Sequence, residues 1–176
     1  MIFKYLFFIL LGFILLFTLF TGQRAHHDYL KKRNSKNTFA IQNVKTNKDI
    51  RVHNANINDE AKIILYTHHN WECMTWQMIQ LEGETFLLKN LYTQKTLQPS
   101  SIPEQGVNLW QQTLGGNSLQ YWEFLKQPKE TYLIRLKGTE LYITVSSDKN
   151  NSDIILMPMQ NSTEQQWRLI EQQPLF

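Results

Sequence analysis

Trp76-Gln77-Met78-Ile79, Trp122-Glu123-Phe124-Leu125 and Trp167-Arg168-Leu169-Ile170 are three versions of one phrase. Their tryptophans stand 46 and 45 residues apart. Upstream, Thr38-Phe39-Ala40-Ile41, Thr85-Phe86-Leu87-Leu88 and Thr131-Tyr132-Leu133-Ile134 open three segments whose starts are 47 and 46 residues apart. Each segment reaches a further apolar residue 11 positions after its aromatic: Ile50, Leu97 and Ile143. Three independent markers keep one period of about 46. Residues 38–176 therefore read as three repeats, about 38–84, 85–130 and 131–172.

Within each repeat the texture is β. Short apolar or alternating runs, such as Lys62 to Tyr66, Gly106 to Trp110 and Asp153 to Met157, are parted by turn-rich pieces such as Gly115-Gly116-Asn117-Ser118. No helical stripe is sustained after residue 37. About four strands per repeat predict about twelve in all. Three repeats are too few for a propeller, which has four or more blades. A single lobe cannot bury its own apolar face, so three lobes closing on one axis are the natural all-β solution.

Two repeats carry a further mark. Gln120-Tyr121-Trp122 and Gln165-Gln166-Trp167 share a Gln-x-Trp motif, whereas the first repeat reads Met74-Thr75-Trp76. This pattern, together with Val107-Asn108-Leu109-Trp110, resembles the ricin B-type β-trefoil lectin over roughly residues 38 to 172. The resemblance implies a β-trefoil of three repeats. The motif itself reads as structural. Trp76, Trp122 and Trp167 would fill one threefold-related core layer. Gln120 and Gln165, two positions before their tryptophans, would lie on the same strand face and satisfy backbone groups at a tight turn.

The resemblance also implies one shallow sugar pocket per repeat. Each would be built from an Asp after the plus-11 residue, an aromatic 12 before the motif Trp, and an Asn before the Gln. A carboxylate and an amide would bind hydroxyls while a ring stacks on the apolar C–H face. Here the Asp positions hold Arg51, Gln98 and Thr144, the aromatic positions Ile64, Trp110 and Ile155, and the Asn positions Cys73, Leu119 and Glu164. No repeat keeps the whole set. The second keeps most, and Gln98, Asn108 and Trp110 are its candidate ligand-binding residues.

Other chemistry finds little support. His68-His69-Asn70-Trp71-Glu72 is the densest polar and aromatic cluster, but adjacent strand residues face opposite ways, so no metal is assigned to it. It reads as an exposed loop able to meet a partner through Trp71. Cys73 is the single cysteine, which excludes an internal disulfide and any paired-cysteine zinc site. No phosphate-cradling glycine loop and no Gly-x-Ser-x-Gly are present. No cofactor is implied, and the sequence reads as non-enzymatic.

The 176 residues are 42% hydrophobic, enough to bury a core. The formal charge of +3 is unevenly placed. Lys4 and a linker holding Arg24, Lys31, Lys32, Arg33 and Lys36 against Asp28 exceed that total, leaving Thr38 to Phe176 at −2. The basic isoelectric point thus belongs to the N-terminal tail, and no nucleic-acid partner is expected. Tyr5 to Phe20 is an unbroken uncharged, largely apolar run. Residues 1–22 read as a hydrophobic helix serving as a membrane anchor or signal segment, and 23–37 as a basic linker. No cleavage site with small residues at the required places follows, which favours an uncleaved anchor. Five flanking cations point the body towards the cytoplasm by the positive-inside rule. A short N-terminal span before a long domain is the layout of an exported protein. The expected body is extracytoplasmic or secreted, with a glycan or a protein as partner.

Overall fold

The computed structural model describes residues 37–174. The anchor at 1–22 and all of the basic linker but Asn37 lie outside the described residues. The described chain is all-β, with twelve strands and only short 3-10 turns between them. The first repeat supplies β1 (Thr38–Asn43), β2 (Lys48–Val52), β3 (Ile63–Thr67) and β4 (Trp76–Glu82). The second supplies β5 (Thr85–Asn90), β6 (Thr96–Pro99), β7 (Leu109–Gln112) and β8 (Tyr121–Gln127). The third supplies β9 (Thr131–Leu136), β10 (Leu141–Val145), β11 (Ile154–Pro158) and β12 (Gln166–Glu171).

The first and last strands of each repeat build a barrel. β1 pairs with β4, β4 with β5, β5 with β8, β8 with β9, β9 with β12, and β12 returns to β1, all antiparallel. Closure leaves these six strands no free edge. The two middle strands of each repeat form a hairpin: β2–β3, β6–β7 and β10–β11. The hairpins are tied to one another by three single bridges, Lys62 to Trp110, Asn108 to Ile155 and Asp153 to Ile64. Each bridge joins the same two positions of neighbouring repeats. Six barrel strands and three hairpins about one axis are the β-trefoil arrangement.

The sequence markers acquire physical meaning here. Trp76, Trp122 and Trp167 are wholly buried. Each indole Nε1 donates to the carbonyl of its own repeat's plus-11 residue: Ile50 (3.2 Å), Leu97 (3.3 Å) and Ile143 (3.0 Å). The 11-residue spacing thus brings the hairpin's first strand over the barrel tryptophan, and the bond satisfies an indole N–H that burial would otherwise leave costly. Around these rings pack Ile41, Leu88 and Ile134 from the barrel and Leu65, Leu109 and Leu156 from the hairpins. Phe39, Met78, Phe86, Phe124, Tyr132 and Leu169, together with Asn37, Gln80 and Glu84, line an open pocket of about 300 Å3.

Two buried asparagines end the opening strands of the first two repeats. Asn43 Oδ1 accepts from the backbone of Lys45 and Thr46, and Asn90 Oδ1 from Tyr92 and Thr93. Their amide groups donate to backbone carbonyls of the neighbouring 3-10 turns, to Glu164 at 2.9 Å and to Cys73 at 3.1 Å. The third repeat has Leu136 at this position, and its turn uses Gly138 at φ +78° instead.

Candidate functional site

The motif glutamines do not lie on the tryptophan strands. Gln120 ends the 3-10 turn Ser118–Gln120, and Gln165 ends Thr163–Gln165. A residue in such a turn is free of the strand's alternation, so its side chain can reach the hairpin. Gln120 Nε2 donates to Thr113 O and to Gln98 Oε1, both at 3.0 Å, while its Oε1 accepts from Gly115 N at 2.9 Å. Gln165 repeats the pattern on Pro158 O (2.9 Å), Thr144 Oγ1 (3.0 Å) and Gln160 N (2.7 Å). Both are wholly buried. Each therefore clamps a loop and positions the residue that follows the plus-11 marker.

That residue has a fixed cross-strand partner. Gln98 on β6 stands directly opposite Trp110 on β7. Arg51 stands opposite Ile64, and Thr144 opposite Ile155. Asn108 lies two residues before Trp110, and Ser100 N donates to its carbonyl. The alternation of the hairpin places Gln98, Asn108 and Trp110 on one face. The structure thus brings the three candidates together, all of them half-buried. The side chain of Asn108 and the amide N–H groups of Gln98 have no hydrogen-bond partner among the described residues. Trp110 Nε1 is buried without an acceptor. The set offers amide donors and acceptors beside an indole, and it carries no charge.

The first repeat is chemically different. Asp49 is wholly buried, and its carboxylate meets His68 Nδ1 at 2.6 Å and Gln42 Nε2 at 3.2 Å. Burial pushes the Asp49 carboxyl above the ordinary carboxylate range, against the opposing pull of His68. His69 stacks on Trp71 with ring centroids 4.2 Å apart, and Tyr66 lies beside both. Arg51 sits over Tyr66, its Cζ 4.3 Å from the ring centroid. Cys73 is buried, which pushes its thiol up, while the neighbouring Arg51 charge opposes this. Among the described residues no three His, Cys, Asp or Glu side chains are grouped to hold a metal ion. Sequence reasoning saw the exposed Trp71 and set Arg51 at the first repeat's Asp position, but it did not join the two with Tyr66, which the folded β2–β3 hairpin brings together.

No family model and no curated protein matches the chain. Solved structures do. A designed 3-fold symmetric protein, ThreeFoil, shares a TM-score of 0.74 at 20% identity, over 77% of this chain and 99% of that one. The Macrolepiota procera ricin B-like lectin, solved in complex with lactose, gives 0.67 at 18% identity, over 76% of this chain and 94% of that one. The Haemophilus ducreyi cytolethal distending toxin gives 0.65 at 15% identity, over 81% and 86% of the two chains. With the barrel, the three hairpins and the buried tryptophan layer, these likenesses establish a β-trefoil fold, the fold of the ricin B-like lectin among them.

Proposed function

We propose that the chain is a carbohydrate-recognition module without catalytic activity, tethered to a membrane or exported through its N-terminal segment. One observation carries this reading. Gln98, Asn108 and Trp110 share the outer face of the second hairpin, with Gln98 directly opposite Trp110 and polar groups left unpaired. A sugar ring can lay its C–H face on the indole while its hydroxyls meet the two amides. The similar lectin solved with lactose makes that disaccharide the first probe. Hydrogen bonds to a neutral amide contribute about 1 kcal/mol, against about 1.5–3 to a charged group, so binding should be weak. Titration of the full chain with lactose, followed by tryptophan fluorescence, tests the reading. A saturable change that Trp110→Ala abolishes supports it, and no response contradicts it.

A second reading is a protein-interaction scaffold or accessory subunit of a toxin or secreted complex, with sugar binding lost. It is favoured by the absence of a carboxylate at all three equivalent positions, which hold Arg51, Gln98 and Thr144. The likeness to a toxin structure agrees with it. Pull-down with the full chain separates the two: a stoichiometric protein partner that sugar does not displace supports the scaffold. Both readings place the body outside the cytoplasm, so protease treatment of intact cells should degrade it.

A further inference from the structure

In the second and third repeats, the residue after the plus-11 marker is an acceptor that the motif glutamine fills. Gln120 Nε2 reaches Gln98 Oε1, and Gln165 Nε2 reaches Thr144 Oγ1. The first repeat exchanges both members. Met74 replaces the glutamine and is wholly buried, and Arg51 replaces the acceptor. A guanidinium only donates, so a glutamine N–H aimed at it would meet no lone pair. An apolar residue at 74 removes that conflict and leaves the guanidinium to find another partner.

It finds no carboxylate. Among the described residues no Asp or Glu lies within ion-pair distance of Arg51, and its Nε is buried without an acceptor. Asp49, two residues earlier on β2, is committed to His68 and Gln42. What Arg51 does meet is the neutral Cys73 thiol, to which it donates a hydrogen bond, and two aromatic rings. Its Cζ is 4.3 Å from the Tyr66 ring centroid and 5.5 Å from that of Trp71. These rings hold the planar fork in place without neutralising it, and Trp71 remains 43% exposed. A half-buried, pre-oriented and uncompensated guanidinium suits a planar carboxylate, which it can bind through two parallel hydrogen bonds. One face of the indole beside it is stacked on His69, and its exposed remainder offers apolar area that a bare inorganic anion would leave unused.

We propose that the first repeat holds a ligand site separate from that of the second, specific for a carboxylated sugar. Arg51 receives the carboxylate, and Trp71 flanks the ring. The proposal rests on the glycan reading above for its ligand class, but not on Gln98, Asn108 or Trp110.

The test compares methyl β-glucuronide with methyl β-glucoside, which differ only in carboxylate against hydroxymethyl. Each is titrated into the full chain in detergent, alongside lactose. The glucuronide should bind roughly tenfold more tightly than the glucoside, the gain of a charged over a neutral hydrogen-bond partner. Added salt should shrink that preference. Arg51→Gln should abolish it, Arg51→Lys should keep only part of it, and Trp110→Ala should leave it intact. Equal binding of the two glycosides by the unaltered chain would overturn the proposal without any variant, as would a preference that survives Arg51→Gln. If lactose binds through Trp110 and the carboxylate adds nothing, this proposal falls alone. If lactose fails while the glucuronide binds through Arg51, only the second-repeat site falls. If no sugar binds, both fall.

Discussion

The pair at positions 74 and 51 shows how much one side chain settles. Gln120 serves three partners from a wholly buried position, so Gln120→Met strands Thr113 O, Gly115 N and Gln98 Oε1 together. Urea unfolding should show a loss of about 2–3 kcal/mol, the cost of unsatisfied buried groups. The reverse change, Met74→Gln, should also destabilise rather than restore a lost bond, because Arg51 offers the new amide N–H only further donors. Asp49 gives a pH signature. Burial raises its folded pKa above the unfolded value near 3.8, so its favourable contribution is full below that value. The contribution is lost as pH rises through the folded pKa. Stability of the unaltered chain relative to Asp49→Asn should therefore fall as pH rises from 3 to 7. A difference that is flat or rises across that range would contradict the burial argument.

At the scale of elements, the hairpins were partly legible. The runs opening at Lys62 and Asp153 each begin one residue before β3 and β11, and Asn108 stands just before β7. These residues make single bridges to the next repeat, and alternation does not distinguish a bridge from a continuous ladder. The grouping of Gln98 with Trp110 was what the lectin resemblance implied, and the hairpin sets the two directly opposite each other. The 3-10 placement of Gln120 was not legible, since a Gln two residues before a strand Trp looks like part of that strand. The cluster of Arg51, Tyr66 and Trp71 joins residues 15 and 5 positions apart, and no spacing rule unites them. The hairpin also invites a gain of function. Gln98→Glu keeps an acceptor for Gln120 and adds the missing charge, so sugar affinity in the second repeat should rise roughly tenfold by calorimetry.

For the molecule as a whole, threefold repetition was the most readable property, because closure needs the same core residue in every repeat. The tryptophan layer is accordingly its most sensitive part. Trp122→Ala leaves a large void and a stranded Leu97 carbonyl, and should cost about 3–5 kcal/mol in denaturant unfolding. Function was less readable, because the three repeats have diverged where the fold does not constrain them. Buried positions keep Ile50, Leu97 and Ile143, whereas the next residue varies among Arg51, Gln98 and Thr144. That variation gives the three hairpins different surface chemistry on one repeated scaffold. The most direct measurement is lactose titration of the full chain and of Trp110→Ala, read by tryptophan fluorescence. The account predicts weak saturable binding by the unaltered chain and none by the variant. Absence of binding, or binding untouched by Trp110→Ala, would contradict it.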